Sequence, residues 1–135
     1  MTIHRSISAK EAADRLALRE LVDVYAHSAD RRDAKGQMAL FTEDARFVVY
    51  MDTKSDIPSQ ELQGRNALAP AFDNLNQYDA TTHFNGQNTV VLDSTEATGV
   101  SYCLAHHVSV HGSERRLMIA SIRYLDRFTK IDGVW

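Results

Sequence analysis

The sequence predicts an α+β fold, with helices in the first part of the chain and long antiparallel strands in the second. Apolar residues recur at helical spacing through residues 18–29, which predicts a long amphipathic helix. From Thr81 onward the chain is rich in strand-forming residues, and we place strands at about 82–92, 96–111 and 114–128. Helices followed by such strands are typical of α+β architecture. At 135 residues the chain has the length of one domain, which we expect to span 1–135.

The first helix has a clear start signal. Ser8 followed by Glu11 fits a capping box, in which Ser8 is the N-cap and Glu11 reaches back to it. A second, short helix is predicted from 33 to 41 with Asp33 as its N-cap. Residues 45–51 then read as a strand.

The middle of the chain predicts a loop, a short strand and another helix. Residues 52–60 are polar and form the predicted loop, and residues 61–64 form the short strand. A helix is expected over 66–78, since Pro70 is tolerable near its first turn. At the end of the chain we expect a turn at Asp132-Gly133 and the start of one more strand.

Alternate residues of the strand over 99–110 face opposite sides of the predicted sheet. One face is bulky and apolar and suits packing against another layer or subunit: Val100, Tyr102, Leu104, His106, Val108 and Val110. The other face is small and polar and leaves room for a ligand: Ser101, Cys103, Ala105, His107 and Ser109. His107 is therefore the better pocket candidate, and His106 is expected to be structural.

Composition excludes several classes of function. The net charge of −3 offers no basic stripe for nucleic acid, and we interpret Arg31-Arg32, beside Asp30 and Asp33, as a solvated helix end. Cys103 is the single cysteine, and no metal-ligand cluster is apparent, so we expect neither a disulfide nor a metal. The sequence contains no apolar run of membrane-spanning length and no signal-peptide pattern, which favours a cytoplasmic protein without a membrane partner.

Asp30 and His83 are the best candidates for chemistry. A carboxylate that holds one imidazole nitrogen leaves the other nitrogen free to accept a proton. Each residue also has an ordinary interpretation, because an aspartate at a helix end is commonly solvated or capping and a histidine commonly structural. Tyr25 and Tyr124 have the ordinary interpretation of core aromatics.

Segments spread along nearly the whole chain carry a family resemblance: 16–25, 29–30, 40–45, 82–84, 123–128 and 132–135. Together they resemble the SnoaL-like branch of the nuclear-transport-factor-2-like superfamily. Within it the resemblance is to scytalone dehydratases and hexachlorocyclohexane dehydrochlorinases. In both, an aspartate near the end of the first helix pairs with a histidine at the start of a sheet strand, and Asp30 and His83 stand at those two places.

The resemblance implies a curved antiparallel sheet wrapped around the helices as a cone with an internal pocket. It further implies a cofactor-independent lyase of the dehydratase type that acts on a small cyclic or aromatic hydroxylated substrate, with His83 as general base and Asp30 as its partner. His107 matches a second active-site histidine of the scytalone dehydratases and would contact that substrate. Apart from the resemblance, we expect Tyr25 and Tyr124 to hydrogen-bond a substrate oxygen. Copies of the chain would form dimers or trimers through the outer sheet face.

Two alternatives stay open from the sequence. The same pocket could support a ketosteroid-isomerase-like or polyketide-cyclase-like reaction, in which protons move but no group leaves. The domain could also be a non-catalytic small-ligand-binding module, because the superfamily hosts both kinds of protein. The substrate itself is not identified, since Ala29 stands where scytalone dehydratases carry a tyrosine.

Overall fold

The computed structural model describes residues 6–135 of the chain. It opens with helix α1, Ala9–Asp30, followed by the short helix α2, Ala34–Met38. The predicted N-caps are confirmed, since the Ser8 hydroxyl accepts from the Glu11 backbone N–H and the Asp33 carboxylate accepts from that of Gly36. The predicted reach of the Glu11 side chain back to Ser8 is not among the hydrogen bonds of the described residues. The Glu11 carboxylate binds the guanidinium of Arg15, one turn further along the helix.

The strands form two antiparallel sheets. The smaller sheet pairs β1, Arg46–Val49, with β2, Gln60–Gln63. The larger sheet has the order β3-β4-β5, built from Ala80–Asp93, Glu96–His111 and Glu114–Thr129. The predicted α+β class, with helices first and antiparallel strands after them, is confirmed.

The region predicted as one helix over 66–78 is divided into three pieces. A 3₁₀ helix, Arg65–Leu68, leads into α3, Ala69–Asp73, which is followed by a second 3₁₀ helix, Asn74–Gln77. Pro70 lies in the first turn of α3, where its missing N–H is harmless. At the far end of this region, the side-chain amide of Gln77 donates to both the backbone carbonyl and the side-chain oxygen of Asn74. Such local hydrogen bonds compete with a regular helix.

Two predicted ends also differ from the structure. Helix α2 ends at Met38 rather than Phe41. The turn at Asp132-Gly133 is confirmed, with both residues at positive φ, but the expected new strand is only a single bridge between Ile131 and Val134.

Helix α1 lies against the inner face of the larger sheet. Leu18 and Val22 pack with Ala97 and Phe128 in the buried core. The ring of Phe128 fits there because residue 99 is glycine, since a Cβ at that position would lie 2.9 Å from the ring.

A bulge in β3 determines which residues face the helix. Asn85 pairs with Cys103 and Asn88 pairs with Ser101, so β3 has one more residue than β4 between these two pairs. His83 and Val90 are an odd number of residues apart and would point to opposite faces of an unbroken strand. The extra residue returns both to the inner face.

The two faces of β4 are as the alternation predicts. Ser101, Cys103, Ala105 and His107 are buried on the inner face, against which α1 packs. The outer face exposes large apolar side chains from all three strands: Phe84, Val91, Tyr102, Leu104, Val110, Leu117, Ile119 and Leu125. Among residues 6–135, no helix has both the length and the apolar character needed to cross a membrane.

Candidate functional site

Asp30 and His83 meet where the C-terminal end of α1 reaches the start of β3. The Asp30 Oδ1 atom lies 2.7 Å from His83 Nδ1, within the distance expected for a dyad. The His83 backbone N–H also donates to Asp30 Oδ2 at 2.9 Å. The His83 side chain is 7% exposed and that of Asp30 is 26% exposed. The predicted contact is therefore present, while its chemical role stays a prediction.

A third donor completes the environment of the Asp30 carboxylate. The Thr81 hydroxyl donates to Oδ1 at 2.9 Å. Burial raises the pKa of Asp30, but the hydrogen bonds from the His83 backbone, the His83 ring and Thr81 outweigh burial and lower that pKa overall. Asp30 is thus held ionised and can only accept. His83 Nδ1 therefore carries a hydrogen in this contact, and in the neutral ring Nε2 has the free lone pair.

His107 lies beside the dyad, whereas His106 points to the other face of β4. The His107 and His83 rings are 5.8 Å apart and nearly perpendicular, and the Tyr78 ring is 4.7 Å from that of His107. His107 is 7% exposed, and its Nδ1 has no hydrogen-bond partner among the described residues. Burial, followed by the charge of protonated His83, lowers the pKa of His107 and favours its neutral form.

Tyr25 and Tyr124 form a second group deeper along the sheet. Their ring centroids are 5.9 Å apart, and the Tyr25 ring also packs edge-on against Phe41 and Phe72. Burial raises the pKa of both tyrosines, so both phenols stay protonated and can donate.

The tyrosines are separated from the dyad along the strands. Tyr124 pairs with Ser101, whereas His83 pairs with Ala105, and four residues of strand correspond to about 13 Å. The structure therefore brings together Asp30, His83 and His107, and puts the tyrosine pair further along the same inner face of the sheet.

A cleft of about 390 Å³ opens at the end of α1, next to the dyad. Its lining combines the helix end with the segment that leads into β3: Asp30, Arg32, Asn76, Tyr78, Asp79, Ala80 and Thr81. Of the five predicted site residues, only Asp30 lines this cleft. A second concavity, of about 310 Å³, lies at the β3 bulge between Phe84, Tyr102 and Leu104.

Arg32 corrects the interpretation of Arg31-Arg32 as a solvated helix end. Arg31 is exposed, but the Arg32 guanidinium donates to the carbonyls of Ala29 and Tyr78 and to the Thr81 hydroxyl at 2.7 Å. The Arg32 backbone has φ 59°, in the left-handed region, which costs a residue with a Cβ about 1–2 kcal/mol.

The sequence contained a signal for the position of Thr81 but none for that of Arg32. Thr81 lies two residues before His83 and so shares its face of the strand, which alternation alone could have identified. The inward contact of Arg32 follows from its left-handed backbone, and nothing in the sequence pattern indicated that conformation.

Asp126 is an inner-face carboxyl that no motif of the sequence marks. It lies on β5 opposite Gly99, two residues after Tyr124 on the same face. Burial raises the pKa of Asp126 from 3.8 to about 6, and the Asp126 charge contributes to the raised pKa of Tyr25. Among residues 6–135, no three His, Cys, Asp or Glu side chains converge on a possible metal site.

Comparison with known proteins adds a family and several related folds. The profile of the SnoaL-like domain matches residues 10–135. A search of curated proteins finds no match. Among solved structures, a proposed scytalone dehydratase from Novosphingobium aromaticivorans is 26% identical with a TM-score of 0.80, over 96% of this chain and 82% of that one.

Two further structures have the same fold at lower identity. An NTF2-like protein with a cystatin-like fold, also from N. aromaticivorans, is 23% identical with a TM-score of 0.72, over 93% of this chain and 78% of that one. The type 2 hexachlorocyclohexane dehydrochlorinase LinA is 18% identical with a TM-score of 0.75, over 93% of this chain and 80% of that one.

Proposed function

Because the chain belongs to the SnoaL-like domain family, we propose that it is a small-molecule lyase of the elimination type, with Asp30 and His83 as a catalytic dyad. The observation that carries this proposal is the 2.7 Å contact between His83 Nδ1 and an Asp30 carboxylate that accepts three hydrogen bonds. This arrangement keeps Nε2 of the neutral ring available as a base. The names of two structural relatives, a proposed scytalone dehydratase and a dehydrochlorinase, both denote eliminations.

In the proposed reaction, His83 Nε2 removes a proton from the substrate carbon adjacent to the carbon that bears the leaving hydroxyl, and a neighbouring carbonyl would make that proton more acidic. The electron pair of that C–H bond forms the new double bond, and the hydroxyl departs with a proton as water. The Asp30 carboxylate stabilises the imidazolium that forms on His83. A positioned base of this kind contributes about 10²–10⁴-fold to the rate.

His107 and the two tyrosines would bind the substrate rather than accept its proton. Because His107 is neutral, its N–H would hydrogen-bond the leaving hydroxyl, and His83 would return the abstracted proton to that oxygen. The Tyr25 and Tyr124 phenols are protonated and would donate to a substrate oxygen further along the inner surface. A small cyclic or aromatic hydroxylated compound suits a surface that combines these donors with the rings of Phe41 and Phe72.

The test is a panel of hydroxylated cyclic ketones and aromatic precursors, followed by His83→Gln on any substrate that turns over. We expect the variant to stay folded and to lose about 10²-fold or more in kcat, because glutamine cannot accept the proton. His106→Gln is the matched control, since His106 lies on the opposite face of the same sheet and should keep its activity.

The products and the variants together separate this proposal from its rivals. Loss of water identifies an elimination, whereas a product of unchanged mass indicates an isomerase or cyclase that uses the same base. Near-wild-type turnover in folded His83→Gln would overturn the dyad assignment. Tight binding without conversion of any compound in the panel would support a binding module instead.

We also propose that copies of this chain associate through the exposed apolar outer sheet face. Phe84 is 67% exposed beside its strand partner Leu104, and Leu117, Ile119 and Leu125, the last of them 76% exposed, lie on the outer face of β5. An exposed apolar patch of this kind is typical of a protein–protein contact. Sedimentation velocity should detect a dimer or trimer at micromolar concentration, and a persistent monomer would contradict the proposal.

A further inference from the structure

We propose that Thr81 and Arg32 form a positioning relay that fixes the orientation of the Asp30 carboxylate toward His83. The relay joins the end of α1 to the start of β3 and touches the dyad only through Asp30. This inference rests on the proposed function of the dyad, but its main observable is the state of the His83 ring, which can be measured without a substrate.

The direction of the Thr81 hydrogen bond follows from what Arg32 can do. A guanidinium has donors only, and Arg32 Nη1 lies 2.7 Å from Thr81 Oγ1, so the hydroxyl oxygen accepts from Arg32. The single hydroxyl hydrogen is then free for the acceptor on the other side, Asp30 Oδ1, at 2.9 Å. Arg32 therefore orients the Thr81 hydroxyl, and Thr81 in turn supplies a donor to the carboxylate.

Arg32 is itself held in place from both sides. The backbone N–H groups of Arg32 and Asp33 donate to the carbonyls of Ala29 and Ser28, which is the hydrogen-bond pattern of a Schellman motif. Glycine is the usual residue at the left-handed position of that motif, and here the position is occupied by arginine. The guanidinium then returns to the helix end at Ala29 and reaches the carbonyl of Tyr78 before β3.

The Thr81 donor adds a third restraint on the orientation of the Asp30 carboxylate. Oδ2 accepts from the His83 backbone N–H, and Oδ1 is shared between the His83 ring and Thr81. Without Thr81, only the two His83 hydrogen bonds restrain rotation about the Asp30 Cβ–Cγ bond. The contact between Oδ1 and Nδ1–H would then weaken, and the advantage of the Nδ1–H form of His83 over the form with hydrogen on Nε2, which cannot act as the base, would decrease.

The test compares Thr81→Val, which removes the hydroxyl at nearly constant shape, with Thr81→Ser, which keeps the hydroxyl. In ¹⁵N-histidine NMR spectra, wild type and Thr81→Ser should have His83 in the Nδ1–H form, and Thr81→Val should have a mixture of both forms. On a turned-over substrate, kcat of Thr81→Val should fall on the order of tenfold with KM within about twofold, as for loss of one hydrogen bond to a charged group. Thr81→Ser should restore kcat.

Two more variants complete the design. Thr82→Val is the matched control, because Thr82 points to the exposed outer face and should leave the His83 signals unchanged. Arg32→Gly removes the guanidinium while suiting the left-handed backbone, so the helix end should persist and the His83 tautomer should shift in the same direction as in Thr81→Val but less far, because the Thr81 hydroxyl stays. If Thr81→Val does not fold, the His83 tautomer of Arg32→Gly provides the test.

An unchanged His83 tautomer in folded Thr81→Val or folded Arg32→Gly would overturn the relay. So would a Thr81→Ser protein that behaves like Thr81→Val. These outcomes differ from failure of the proposed function, in which His83→Gln retains turnover while the His83 ring of wild type still adopts the Nδ1–H form.

Discussion

Replacing Asp126 by asparagine should stabilise the protein at neutral pH. The side chain keeps its size but loses the charge whose burial raises the pKa of Asp126 from 3.8 to about 6. Because one pKa unit equals about 1.4 kcal/mol, this rise corresponds to about 3 kcal/mol of unfavourable free energy above pH 6. The buried amide retains part of the desolvation cost, so we expect a net gain of about 1–2 kcal/mol.

The sign of the pH dependence distinguishes this cause from others. The folded state binds the Asp126 proton more tightly than the unfolded state, so the contribution of Asp126 to stability falls as pH rises from about 4 to about 6. Below this range the carboxyl is protonated in both states and carries no charge to bury. The advantage of Asp126→Asn should therefore be largest at pH 7–8 and should shrink toward pH 4.5.

Thermal unfolding at several pH values measures the effect. For a chain of this length 1 kcal/mol corresponds to about 4 °C in Tm, so we expect Asp126→Asn to raise Tm by about 4–8 °C at pH 7.5. Asp93→Asn serves as the control, since Asp93 is an exposed aspartate on β3. A Tm difference that is equally large at pH 4.5, or a lower Tm at pH 7.5, would refute the assignment to buried charge.

Two further predictions concern the fold alone. Gly99→Ala should lower the free energy of unfolding by about 1–3 kcal/mol, because its Cβ would lie 2.9 Å from the buried Phe128 ring. Gly86→Ala, whose Cβ would have no atom nearer than 3.8 Å, should be tolerated. Equal Tm values for the two variants would contradict this explanation. Ser8→Ala should cost about 1 kcal/mol, about 4 °C in Tm, through loss of the hydrogen bond to the Glu11 N–H, and a Tm equal to that of Ser6→Ala would contradict this capping role of Ser8.

Most of the fold was predictable because local signals and burial agree along most of the chain. The caps at Ser8 and Asp33 and the turn at Asp132-Gly133 each depend on a few neighbouring residues. The long strands were recognisable from their composition and the turns between them. The predicted helix over 66–78 was wrong in detail, because local hydrogen bonds between Asn74 and Gln77 prevail at its far end, where no residue of Asn74–Gln77 is buried.

The candidate site was predictable only in part. Alternation along β4 identified His107 rather than His106, because no bulge interrupts that strand. The Asp30 and His83 pair required the family resemblance, since 53 residues separate the two and no local pattern joins them. The contribution of Arg32 depends on a backbone conformation that arginine seldom adopts and was therefore not predictable.

Because of the one-residue bulge in β3, the candidate site can change in a related chain while the fold stays the same. The residues before it carry the histidine of the dyad, and the residues after it, such as Val90, pack against the core. A single deletion at Gln87 that kept Val90 in register would turn His83 outward and bring its neighbours inward, with the core contacts intact. A related chain could therefore lose the dyad through one codon and still fold, and an alignment that ignores the bulge would not reveal that loss.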